Sequence, residues 1–159
     1  MGKNAIEILK DDHRKVKDLL SQLVETTTRA EKTRRQLLDK IEHELVIHTH
    51  IEEEIFYPAF KKAGNSDFAK VYFEALEEHR AVDDLVMPDL KKTEPSSEKF
   101  SGRAKVLKEL VEHHADEEEK DMFKKAAQAM SKEELADLGN KMSGRKHELQ
   151  KQMTESKAA

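Results

Sequence analysis

Cysteine is absent from the 159 residues, and that single gap removes disulfides, thiol nucleophiles, thiolate zinc sites and iron–sulfur clusters together. Any metal this chain holds must be met by nitrogen and oxygen. Tryptophan is absent too, and there are only two tyrosines. Five glycines and three prolines are few breakers for this length. No apolar run reaches the ~18 residues that a membrane-spanning helix needs. The opening MGKNAIEILKDDHR lacks the apolar stretch of a secretory signal, and Ile6 stands where myristoylation wants Ser or Thr. A soluble, cytoplasmic protein is the expectation. Charged residues make up 39% of the chain, yet both signs are interspersed and the net charge is only −4, so there is no basic stripe for nucleic acid. Neither nucleic acid nor membrane is expected as a partner.

What the chain does have is helical periodicity. Asn4 with Glu7 reads as a capping-box start, after which Ile6, Leu9, His13, Val16, Leu20 and Leu23 alternate steps of three and four up to about Thr27. A second helix is expected over about 31–63, with Leu37, Leu38, Ile41, Leu45, His48, Glu52 and Phe56 on its seam and Pro58 kinking or loosening its last turn. A third runs from after Ser66 to about Lys92 through Tyr72, Ala75, His79, Val82 and Leu90, with Pro88 in its last turn. The stretch Thr93-Glu94-Pro95-Ser96-Ser97 is the clearest break. A fourth helix covers about 98–130 through Leu107, Val111, His114, Glu118 and Met122. Ser131 with Glu134 is a second capping box, opening a fifth helix with Leu135, Leu138, Met142 and Leu149. The expected fold is all-α: an up-down-up-down four-helix bundle over 1–130, with 131–159 as a further helix packed on the same domain and a tail that frays after Met153.

Histidine is the informative residue. Each bundle helix carries one in its apolar seam: His13, His48, His79 and His114. Two seams also carry an acid four residues on, Glu52 and Glu118, and that spacing puts both side chains on one helix face. A lone seam histidine is ordinarily a hydrogen-bonded core residue. Six polar groups in the seams of four helices are another matter, because burying them uncompensated is costly and a pair of bound dications offsets the cost. His113 with Glu117 shares the spacing, but His114 with Glu118 lies on the face of Leu107, Val111 and Met122. His50 with Glu54 falls with His43 on another face, either exposed or meeting the fifth helix, and His147 lies off the fifth helix's seam. Imidazole and carboxylate without sulfur suit iron, zinc or manganese.

The segments ILKDDHRKVKDLL, HTHIEEEIFYP, EEHRAVDDLV and EHHADEEEKDMF, in this order, resemble the four signatures of hemerythrin-like (HHE) domains across about residues 4–130. That resemblance implies two iron ions, oxo- or hydroxo-bridged, in preference to manganese or zinc. It also implies Glu52 and Glu118 as bridges, His13 and His48 on one iron, and His79 and His114 on the other. The chain departs from the O2-carrying members on the third helix, where those carry two histidines one turn apart. The residues flanking His79 at that spacing are Ala75 and Asp83. Asp83, Tyr72, Glu78 or water is expected to take the missing place.

The implied function is binding or reaction of a small oxidant (O2, peroxide or nitric oxide) in oxidative or nitrosative stress or iron homeostasis. With one protein nitrogen fewer, peroxide- or nitric-oxide-consuming chemistry is expected over O2 carriage. The alternative is an iron-responsive or structural metal-binding module that signals to a protein partner. A ferritin-like oxidase fits less well, because those bundles use Glu-x-x-His and here His precedes Glu by four.

Overall fold

The computed structural model describes residues 2–158. Five helices account for nearly all of them, with no strand among the described residues. Helix α1 is Ala5–Glu25, and Asn4 caps it by accepting the Glu7 backbone N–H at 3.0 Å. Helix α2 spans 31–63, α3 spans 66–92 and α4 spans 98–129. Each of these three is continuous but interrupted by a π-helical turn: Glu52–Phe56, Ala81–Val86 and Glu118–Met122. Helix α5 is Lys132–Ala158, opened by the reciprocal Ser131–Glu134 box, with bonds of 2.7 and 3.1 Å. Helical backbone therefore persists past Met153, where a frayed tail was expected.

Pro58 and Pro88 do not kink their helices at random. Each is the second residue of the α-helical segment that follows a π-turn. The wider turn accommodates the residue whose ring would otherwise press on the carbonyl four positions back. No candidate span is long and apolar enough to cross a membrane among the described helices.

The direction of each helix follows from its apolar neighbours. Leu9 and Ala75 precede the site histidines of α1 and α3, while Phe56 and Met122 follow the site residues of α2 and α4; all four belong to one apolar cluster. Val16, Leu45, Val82 and Val111, on the other side of the same histidines, belong to a second cluster. The four helices thus alternate in direction, and a layer of histidine and glutamate divides the core in two. Helix α5 packs against α1 and α2. It crosses the start of α1 so closely that a Cβ on Gly139 would lie 2.4 Å from the Lys3 carbonyl oxygen.

At the far end of the bundle, Arg34 is 2% exposed, yet it pairs with no carboxylate among the described residues. Its guanidinium donates to Thr26 Oγ1 (2.9 Å), Thr26 O (3.0 Å), Pro95 O (2.7 Å), Ser97 O (3.3 Å) and Ser101 Oγ (2.7 Å). Its plane also lies over Phe100, 5.0 Å from the ring centroid. One side chain so ties the α1–α2 loop to the α3–α4 loop. Replacing Arg34 with Met keeps much of the bulk but strands these buried acceptors, each worth about 1–3 kcal/mol when unpaired. Arg34→Met should lower stability by at least about 2 kcal/mol in urea unfolding, with the spectroscopic properties of the distant polar layer unchanged below the transition.

Candidate metal centre

The polar layer is built from the residues that the seams single out. His13, His48, His79, His114, Glu52 and Glu118 are all buried, and their side chains converge. His48 Nε2 lies 2.9 Å from Glu52 Oε1, and His13 Nε2 lies 3.2 Å from Glu118 Oε1. On the other side, His79 Nε2 is 2.9 Å from Glu52 Oε2, and His114 Nε2 is 3.2 Å from Glu118 Oε1. Glu52 therefore turns one oxygen to each half of the layer, and one oxygen of Glu118 lies between His13 and His114. Two donor sets result, one of His13, His48, Glu52 and Glu118, the other of Glu52, His79 and His114.

A seventh group was not among the sequence candidates. Tyr57 is fully buried, and its Oη lies 3.1 Å from Glu52 Oε2, 3.0 Å from Glu118 Oε2 and 3.2 Å from both His79 Nε2 and His114 Nε2. It faces both histidines of the second donor set. Tyr57 follows Glu52 by five residues, which on an α-helix is about 140° away around the axis. The π-turn closes that gap, for the Tyr57 N–H donates to the Glu52 carbonyl.

The sequence candidates for the place of a second third-helix histidine lie outside both donor sets. Tyr72 packs edge-on against Tyr57, with ring centroids 6.2 Å apart. Glu78 faces His114 Nδ1 at 3.0 Å, on the ring's outer side. Asp83 is exposed, at the rim of the cavity beside the layer. His113 is 61% exposed and reaches only Glu78, at 3.3 Å. His50 is exposed with its ring N–H on the Val46 carbonyl, Glu54 meets Arg145 of α5, and His147 is exposed.

Each ring is held from behind by a carboxylate. His13 Nδ1 pairs with Glu119 (2.8 Å), His48 with Asp12 (3.0 Å), His79 with Glu53 (2.8 Å) and His114 with Glu78 (3.0 Å). Each acid adjoins a site residue in the chain and serves a histidine on another helix. With Nδ1–H donated outward, the Nε2 lone pair is left pointing inward, the arrangement of metal-binding histidines. The sequence signal was an acid beside one site residue on each of the four helices: Asp12-His13, Glu52-Glu53, Glu78-His79 and Glu118-Glu119.

Three observations make the layer fit a pair of cations. His13 Nε2, His48 Nε2, Glu52 Oε1 and Glu118 Oε1 are buried without a hydrogen-bond partner, and they are the donor atoms of the first set. His79 Nε2 and His114 Nε2 face each other at 3.1 Å, so two lone pairs meet there when both rings carry their proton on Nδ1. Tyr57 has one hydroxyl proton for four neighbours. Beside the layer lies a cavity of about 30 Å³, walled by Val16, Leu45, Val82 and Val111.

Without a cation the layer neutralises itself with protons. Burial works against a charged His48, but the Glu52 carboxylate and the Asp12 contact outweigh it and raise its pKa to about 10. His79 is likewise opposed by burial and raised to about 9 by Glu52 and Glu53. Glu52 is held well below the usual range: its burial is outweighed by His48 and the other histidines. Burial, then the Glu118 and Glu52 charges, keep the Tyr57 phenol protonated well above its ordinary value.

The sequence profile of the Hemerythrin HHE cation binding domain matches residues 4–126. An uncharacterized protein of Mycobacterium tuberculosis is 33% identical over 147 residues, covering 92% of this chain and 87% of its own, and its Mycobacterium bovis counterpart gives the same values. The crystal structure of a hemerythrin HHE cation binding domain-containing protein from Mycobacterium kansasii superposes with a TM-score of 0.80 at 34% identity, covering 92% of this chain and 87% of that one.

Imidazoles must be neutral to bind a metal, so cation uptake should expel protons. Because His48 and His79 sit at about 10 and about 9 in the cation-free chain, uptake at neutral pH should acidify a weakly buffered solution, and apparent affinity should rise with pH up to that range. Zinc(II) addition followed with a pH indicator checks this. Their raised values also stabilise the cation-free fold fully below the unfolded value of 6.5, and that contribution is lost as pH climbs through about 10. Thermal melts of the chelated protein should follow that fall.

Proposed function

This chain belongs to the hemerythrin HHE cation-binding family, and from that premise we propose that it is a non-haem di-iron protein that reacts with a small oxidant and is not a reversible O2 carrier. Its setting would be oxidative or nitrosative stress, or iron homeostasis. His13 and His48 would hold one ion, His79 and His114 the other, with Glu52 and Glu118 between them. Two irons there would supply redox chemistry toward peroxide, O2 or nitric oxide that no side chain here provides. The donors would also accept manganese or zinc.

Tyr57 is the observation that carries the reading. In place of a neutral imidazole, a phenol oxygen faces the second donor set. A nearby dication opposes the burial and the carboxylate charges that keep this phenol protonated, since the ion is then the largest local charge. An anionic oxygen favours the more highly charged, oxidised ion. Carriage requires a reduced state that survives each release of O2, and this donor set works against it.

The apolar walls leave space for a small guest. A water needs roughly 10–15 Å³ of such space, so the cavity of about 30 Å³ has room for a diatomic or peroxide beside the layer. Val16, Leu45, Val82 and Val111 give that guest an apolar wall opposite the histidines, with Thr49, Glu78 and Asp83 also lining the cavity.

Iron-reconstituted protein should hold two ions per chain. Reduced anaerobically, exposed to O2 and then evacuated, it should stay oxidised. It should also consume peroxide, and His79→Ala should abolish that. Tyr57→Phe should keep its irons but lose any phenolate absorption band and reoxidise more slowly. One tightly held ion per chain, or a spectrum that returns fully to the reduced form over many cycles, would refute the proposal.

A further inference from the structure

The four carboxylates behind the histidines are not alike. Glu119, Glu53 and Glu78 are 32%, 40% and 23% exposed, so water reaches their charge. Asp12 is 5% exposed. One of its oxygens takes His48 Nδ1 at 3.0 Å, and the other takes the Lys146 ammonium. Lys146 comes from α5, which lies beyond residues 4–126 that the family profile matches. A helix added to the four-helix bundle thus sets a cation one carboxylate away from the buried layer.

We infer that Lys146 is a positioning residue: acting through Asp12, it sets the donor strength of His48 and so tunes the His13–His48 side of the centre. The inference rests on reading the layer as a metal centre. A carboxylate that draws on the Nδ1 proton raises the electron density at Nε2 and strengthens that nitrogen as a ligand. Lys146 draws on the same carboxylate from the opposite side and weakens its pull. Asp12 is buried and Lys146 is 24% exposed, so water screens this pair only in part. Removing the lysine leaves Asp12 to pull harder on His48 and leaves the site more negative. Removing the carboxylate does the reverse. The two substitutions therefore move metal binding in opposite directions, whereas a contact that merely holds α5 in place would weaken binding in both.

Helix α5 has other anchors, so it does not depend on Lys146 to dock. Arg145 grips both oxygens of Glu54 at 2.7 and 3.1 Å, and Leu135, Met142 and Leu149 are buried. Arg145→Met loosens the same helix without touching Asp12, and it serves as the control.

The experiment is a cobalt(II) titration of the full chain at fixed pH, read by visible absorption, with a thermal melt of each variant. Asp12→Asn should weaken binding about tenfold. Lys146→Met should tighten it, Lys146→Arg should stay near wild type, and Arg145→Met should lower the melting temperature with little change in affinity. Lys146→Met weakening binding alongside Asp12→Asn, or shifting it no more than Arg145→Met does, overturns the inference alone. Wild-type protein that takes up no cobalt(II) overturns it together with the metal-centre reading.

Discussion

Two glutamates and four histidines share one level of this bundle with almost no access to water, and a carboxylate there stays ionised only where positive charge faces it. Protons on the imidazoles can provide that charge, at the cost of crowding His79 Nε2, His114 Nε2 and Tyr57 Oη within 3.2 Å of one another. Cations can provide it without the crowding. The outer carboxylates belong to the same balance: they fix each ring so that its inner nitrogen meets the layer, and they add negative charge around it. The acidic character of HTHIEEEIF and HADEEEKDMF is therefore part of the site and more than a solvated helix face.

Much of this was legible along the chain because it obeys one period. The caps at Asn4 and Ser131 follow from their spacing, and the histidines in all four seams, with His114 buried beside an exposed His113, follow from α-helical phase. Tyr57 was hidden for the same reason. An α-helix carries it to the far side from Glu52, and only the π-turn brings it back. A local change of period leaves no mark in a hydrophobic pattern that is matched to 3.6 residues per turn. The prolines were a partial sign: Pro58 and Pro88 each follow a π-turn, but α4 has one without a proline.

Contacts between distant segments were the other hidden part. Glu119 serves His13 across more than a hundred residues, and Lys146 reaches Asp12 across still more. A sequence read helix by helix shows these acids as surface charge, because helical periodicity says which face a residue takes and nothing about its partner. Arg34 is a sharper case. A charged residue near the start of a helix is ordinarily exposed, and only the meeting of two loops around it provides the carbonyls that allow burial.

The layer that divides the core also governs how the molecule holds together. The apolar half containing Phe56, Phe60 and Phe123 and the half containing Leu20, Leu107 and Phe100 meet chiefly across imidazoles and carboxylates. Two modest cores in series act as one folding unit to the extent that opening either one costs the other its stability. With the charges of the joint fully matched, opening one half exposes the other, and the chain unfolds in a single step. With the joint poorly matched, each half can open on its own, the end latched by Arg34 separately from the end covered by α5. In this bundle the match of charges in the polar layer bears on cooperativity, together with the four helices that run through both halves.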